Sequence, residues 1–144
     1  MDKKDLFTSA GQLGPFDPST AEAYGAAAQR MVARINDKML SRPDIDVLVG
    51  EAGHDMMRDN HANHARFIAS VLANHNPEVL AETILWVFRA YRSRGFASTY
   101  WAAQLNMWMD IIREELPPEA YREVLPLYEW MQVNIPVFEH LSHQ

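Results

Sequence analysis

Residues 76–116, NPEVLAETILWVFRAYRSRGFASTYWAAQLNMWMDIIREEL, decide the fold class. Asn76-Pro77 is a helix start: asparagine can cap orphan backbone N–H groups, and proline lacks the N–H that would be orphaned at the first helical position. From there Leu80, Ile84, Val87, Phe88 and Tyr91 recur along one side of a 3.6-residue repeat. Arg89, Arg92 and Arg94 gather in the last turns before Gly95, where cations complement the helix dipole and glycine is the usual stop. Ser98 then caps a second helix whose stripe is Trp101, Leu105, Trp108, Ile112 and Leu116. Met107 and Ile111 widen that stripe, as expected of a helix covered on more than one side.

The same reading extends outward. Pro117-Pro118-Glu119 opens a further helix with Tyr121, Val124, Leu125, Tyr128, Ile135 and Phe138 inward, and Pro126 and Pro136 should kink or split it. Upstream, Asp44 to His75 reads as a helix broken near Gly50 and Gly53, each disfavoured by about 1 kcal/mol relative to alanine. Its short first piece carries Val47 and Leu48; its second shows Met57, His64, Phe67, Ile68 and Val71 on one face. Before it, Ser19 with Glu22 three residues on predicts a capped helix with the stripe Tyr24, Ala28, Met31, Ile35 and Met39, ended by Arg42-Pro43. Residues 1–18 contain Gly11, Gly14, Pro15 and Pro18 and read as an irregular arm, pinned to the body or to a second subunit by Phe7, Leu13 and Phe16. No alternating strand pattern, hairpin turn or internal repeat competes. The expectation is an all-α chain with one helical domain over 19–144, five to six helices in a globin-like or irregular helical bundle.

At 144 residues the chain suits one domain that buries roughly 70% of its unfolded surface. A formal net charge of -6 disfavours nucleic acid and anionic membranes as partners, because no concentrated basic face offsets it. The absence of cysteine removes disulfides, thiolate zinc sites and cysteine nucleophiles. Met1-Asp2-Lys3-Lys4-Asp5 leads into no apolar signal core, and no run of about 18 apolar residues occurs, so a cytoplasmic location is the expectation.

Two constellations could carry chemistry. At 100° per residue, Glu51, His54, Arg58 and His61 fall within a helical sector of about 80°, with His64 about 60° further round. Imidazole and carboxylate at this spacing suit iron or zinc, so Glu51, His54, His61 and His64 form a candidate metal set, with Glu82, Glu115 or Glu129 as partner carboxylates. Only one Glu-x-x-His pair is present where a di-iron bundle uses two, and the competing reading leaves His54 and His61 solvated and His64 a hydrogen-bonded core histidine. His64, or His75 at the end of the same helix, is also a candidate haem ligand.

The second constellation runs from Tyr91 to Trp101, with Trp108 below it. Aromatics and guanidinium groups at one turn suit a pocket whose arginines hold an anionic group, and the candidates are His64, Tyr91, Arg94, Tyr100, Trp101 and Trp108. Against this, the same arginines can offset a helix C-terminus while the rings fill the space between helices. No nucleophile elbow, acid–base carboxylate couple or phosphate-binding glycine loop was found, so no enzyme is expected and no resident cofactor; iron or haem belong to the metal alternative.

Tyr91-Arg-Ser-Arg-Gly-Phe96, Tyr100-Trp101, Trp108, Leu116-Pro-Pro-Glu119 and Leu125-Pro-Leu-Tyr-Glu-Trp130 together resemble the helical domain found upstream of cobalamin-binding or signalling modules in bacterial regulators. That domain is in turn similar to the non-haem globin-like sensor domains of stressosome proteins. The resemblance covers about the C-terminal third of the chain. It implies an all-α, globin-like sensor that forms a homodimer and passes a signal to a partner, with no shared catalytic set. With no output domain before Gln144, the expectation is that the chain acts on a separate signalling protein or is a fragment. Eight methionines and four tryptophans, on stripes wider than one core requires, point the same way, toward a twin subunit or a small molecule held between helices.

Overall fold

Asp2 and Asp5 start the first helix. The Asp2 side chain accepts from the Asp5 backbone N–H, and the Asp5 carboxylate accepts from that of Asp2, a reciprocal cap built from two aspartates. In the computed structural model, which describes residues 1–143, this cap leads into α1 (Lys3–Gly11). The irregular arm expected over residues 1–18 is therefore corrected over half its length, Lys3–Gly11. Gly11, Gly14, Pro15 and Pro18 all lie at or beyond the end of α1, so they terminate it rather than prevent it. A nine-residue helix is marginal by itself. Packing stabilises this one: Leu6 and Ala10 are fully buried against α5, while Phe7, Leu13 and Phe16 are partly covered.

Seven further helices follow among the described residues: α2 (Pro18–Leu40), α3 (Ile45–Val49), α4 (His54–Ala73), α5 (Pro77–Arg92), α6 (Thr99–Glu115), α7 (Pro118–Val133) and α8 (Ile135–Leu141). The all-α class holds, but the count is eight, not five to six. The surplus comes from α1 and from two splits. The first falls at Gly50 and Gly53, as the sequence predicts: Gly50 takes φ +81°, and a Cβ on Gly53 would collide with the Val49 carbonyl oxygen. The second falls at Asn134, just before Pro136, while Pro126 is accommodated inside α7. The cap of α2 is Asp17, whose carboxylate accepts from Ser19 N–H, not the expected Ser19–Glu22 box; Ser98 makes no side-chain cap on α6. Asn76 does cap α5, accepting from the N–H groups of Glu78 and Val79 at 3.1 Å each.

The long α2 packs on α4, α6 and α7, burying Tyr24, Ala27, Met31, Ile35 and Met39. Across the α2–α6 seam Arg34 pairs with Glu114 and Glu115, and Arg30 with Glu115. These are surface pairs of small energetic weight. α5 is mounted differently. Its close backbone neighbours are α1 and α8, and Arg92 donates to both the Ser142 hydroxyl (2.7 Å) and the Ser142 carbonyl (2.6 Å). Arg89 reaches the same carbonyl at 3.3 Å. Arg89 and Arg92 thus stand in the last turn of α5, as the dipole reading expects, and at the same time bond the end of α8. Among the described residues no helix is long and apolar enough to cross a membrane.

Leu6 tests whether α1 belongs to the core. Leu6→Ala should lower the unfolding free energy by about 2–5 kcal/mol in urea titration, as removal of a sealed leucine does. Val47→Ala, at a 76% exposed position, should stay within about 0.5 kcal/mol.

Candidate functional site

A cavity of about 210 Å³ lies between α4, α5, α6 and α8, with Met131 of α7 at its edge. The looser mounting of α5 leaves this space. Its walls are apolar: Phe67 from α4, Ile84, Val87 and Phe88 from α5, Trp101 and Leu105 from α6, and Phe138 from α8. Rings hold these walls in place. Phe88 stacks on Trp101 with centroids 4.6 Å apart, and both Tyr91 on Trp101 and Phe138 on Phe88 meet edge-on, at 5.9 and 5.4 Å. Trp86, 62% exposed, also lines it. It is the one highly exposed ring of the lining, which places it at the mouth. The polar groups on the wall are uncharged side chains, chiefly Asn60, Asn63 and His64 of α4 and Gln104 of α6.

Behind the α4 wall is a buried polar network in two branches. In one, Tyr24 and Tyr128 are linked hydroxyl to hydroxyl at 2.7 Å, and the Tyr128 hydroxyl meets His64 Nε2 at 2.8 Å. In the other, Asn36 Oδ1 is 2.7 Å from His61 Nδ1, and His61 Nε2 is 3.2 Å from the Tyr100 hydroxyl. Tyr100 donates to Asn60 Oδ1 at 2.8 Å, and Gln104 donates to the same oxygen at 2.9 Å. Trp108 lies between the branches, its ring 4.7 Å from His64 and 6.5 Å from His61. Burial pushes both imidazoles down to about 3, so both are neutral at pH 7. Burial likewise raises the tyrosine hydroxyls of residues 24, 100 and 128, which keep their protons.

Of the six pocket residues expected from sequence, His64, Tyr91 and Trp101 line the cavity. Tyr100 and Trp108 are buried behind it, and Arg94 borders a separate shallow depression outside Trp86 and Tyr91. The metal set does not assemble: among the described residues no three His, Asp or Glu side chains converge. His54 Nε2 pairs with Asp46 at 2.7 Å, Glu51 is exposed, and His61 and His64 are taken by Asn36 and Tyr128. Of the proposed partner carboxylates, Glu82 pairs with Lys3 and Glu115 with Arg30 and Arg34, while Glu129 is exposed. Bonds from these two arginines hold the Glu115 carboxyl below its usual range. His61 is not solvated, as one reading of the sequence had it; it is fully buried. The residues do not suit haem either. His64 Nε2 faces Tyr128, and His75 Nε2 donates to the Ala10 carbonyl at 2.8 Å, pinning α1 to the end of α4.

The sequence reading missed Asn60 and Gln104. A signal existed: Gln104 is three residues after Trp101 and four before Trp108, and Asn60 is three after Met57 and four before His64. Each is an amide placed on an apolar stripe, where it must find buried partners. No protein-family model, curated protein or solved structure matches the chain.

The buried histidines set a pH dependence. Their folded values, about 3, are below the ordinary 6.5. The unfolded chain therefore takes up protons first, and stability falls as pH drops below about 6.5. Between pH 7 and 5 the loss should be about 2 kcal/mol per histidine by urea titration. Glu114 and Glu115, lowered by their arginines, contribute only below their ordinary 4.5. His61→Gln should weaken the fold at pH 7 yet halve the loss between pH 7 and 5.

Proposed function

We propose that the chain is a non-enzymatic regulatory or sensory helical domain that binds a small, mainly apolar molecule in the cavity between α4, α5, α6 and α8. One observation carries this reading: apolar rings line a cavity of about 210 Å³ that opens beside Trp86, with a few uncharged polar groups among them. An apolar cavity of about 150 Å³ takes up benzene in another protein. The space here therefore accepts a single ring with a short substituent. Its walls come from four helices and the edge of a fifth, so occupancy can bias how α5 packs against the body. That is the kind of element a sensor needs.

A globin-like arrangement and a homodimer remain parts of the same proposal, as the resemblance of residues 91–131 implies. The exposed apolar groups that support a twin subunit are fewer than the sequence suggests. Trp101, Trp108 and Trp130 are buried within the protomer, and Val79 and Trp86, seven residues apart on α5, are the large apolar side chains that helix leaves outside. An output protein, if signalling is the role, would read the same outer face of α5.

Two measurements test the reading. Single-ring apolar compounds should raise the melting temperature, with about 2.7 kcal/mol of stabilisation at a hundredfold excess over Kd. Val87→Phe should fill the cavity and abolish that response while leaving the free protein folded. A panel in which no compound stabilises the wild type would end the binding proposal. Light scattering should give twice the mass of one chain at high micromolar concentration, and a monomer there would end the dimer.

A further inference from the structure

We infer that the cavity selects an uncharged molecule bearing a hydrogen-bond-accepting oxygen, and that His64 receives that oxygen through an Nδ1–H donor. This rests on the cavity being the binding site proposed above. It adds the chemistry of the guest.

The donor follows from counting protons along Tyr24, Tyr128 and His64. Tyr24 is fully buried, and among the described residues its hydroxyl has one partner, the Tyr128 hydroxyl at 2.7 Å. Suppose His64 Nε2 carried the ring proton and donated to Tyr128. Tyr128 would then donate to Tyr24, and the Tyr24 proton would be sealed in the core with no acceptor, a loss as large as a hydrogen bond. The opposite direction uses every proton. Tyr24 donates to Tyr128, Tyr128 donates to Nε2, and only a lone pair on Tyr24 is left idle. Nε2 is then the acceptor of a neutral imidazole, so the ring proton is on Nδ1. Among the described residues Nδ1 has no protein partner, and it is not among the sealed polar atoms. His64 lines the cavity, so that N–H is available to a guest.

The exclusion of charge follows from the rest of the wall. No Lys, Arg, Asp or Glu lines the cavity. Arg89 and Arg92 are committed to Ser142, and Arg94 and Asp59 border the outer depression. His64 itself stays neutral through the range in which a carboxylic acid ionises. A carboxylate or an ammonium would lose its hydration without gaining a counter-charge. Asn60 Oδ1 already accepts from Tyr100 and Gln104, so a guest that only donates finds that oxygen occupied.

Three probes of similar shape separate the possibilities: acetophenone, with a neutral acceptor; cumene, with none; and benzoate, with a charge. Calorimetry at pH 7 should give acetophenone about fivefold to tenfold tighter than cumene, the range one net hydrogen bond supplies. Benzoate should bind at least about a hundredfold more weakly than acetophenone. His64→Phe should erase the preference for acetophenone over cumene. Tyr128→Phe, which keeps the imidazole but frees Nε2, should shrink it. Imidazole nitrogen NMR of the free wild type should show the proton of His64 on Nδ1, a readout that needs neither a guest nor a variant. Equal binding of acetophenone and cumene would overturn the inference while the cavity stands as a binding site, as would tightest binding of benzoate or a proton found on Nε2. If none of the three binds, the proposed site fails and this inference with it.

Discussion

The structure depends on burying eight polar side chains at the centre of an α-helical core without leaving them unpaired. Tyr24 and Asn36 come from α2, Asn60, His61 and His64 from α4, Tyr100 and Gln104 from α6, and Tyr128 from α7 supplies the link between His64 and α2. Each bond is directional, and its loss inside the core costs more than its formation gains. Apolar stripes alone permit α2, α4, α6 and α7 to slide or rotate against one another at little cost. A one-residue rotation of α4 would turn His61 and His64 away from Asn36 and Tyr128 and strand all four. The network therefore selects one register among those the stripes allow.

That register leaves α5 outside the polar core. Its close backbone neighbours are α1 and α8, and it meets α6 through the rings of Phe88 and Tyr91 on Trp101. The cavity is the consequence. Phe88, Trp101 and Phe138 are too rigid and too large to collapse into the remaining space. Arg89 and Arg92 fasten α5 to the C-terminus of α8 at Ser142, and the Ala10 carbonyl anchors α1 to His75. Trp130 adds a bond from α7 to Ser9 of α1 at 2.9 Å. The N-terminal helix is thus part of the frame that holds the cavity open. It is not an appendage.

Much of this was legible in the sequence. The helical period of Leu80, Ile84 and Phe88, the Asn76-Pro77 start and the Gly50/Gly53 break all act through local backbone chemistry, and local rules located them. What was not legible acts at a distance. The Asp2–Asp5 cap is local but uses aspartate where serine or threonine is more familiar, and the glycines and prolines downstream hid it. The pocket residues divide for a geometric reason. Trp101 and Tyr100 are adjacent on α6, about 100° apart around the axis, so one faces the cavity and the other the network behind it. Nothing in their shared aromatic character tells which is which. Local sequence left two readings of Arg92 and Arg94, dipole complement or anion site, and Ser142, which takes Arg89 and Arg92, is some fifty positions away.

The two histidines at the centre show why composition and burial do not by themselves assign a role. His61 and His64 are three residues apart on α4, and the same loss of hydration pushes both to about 3. Burial and the resulting neutral charge are common to them and discriminate nothing. Partners do. His61 is fully buried, with Nδ1 2.7 Å from Asn36 Oδ1 and Nε2 3.2 Å from the Tyr100 hydroxyl, so both nitrogens face protein groups of α2 and α6. His64 spends one nitrogen on Tyr128, its other nitrogen has no protein partner among the described residues, and the residue lines the cavity. A phenyl ring at position 64 would fill a similar volume but would leave the Tyr128 hydroxyl without its partner. One nitrogen of the imidazole is thus accounted for by the network, and the second is the one the proposed guest would use.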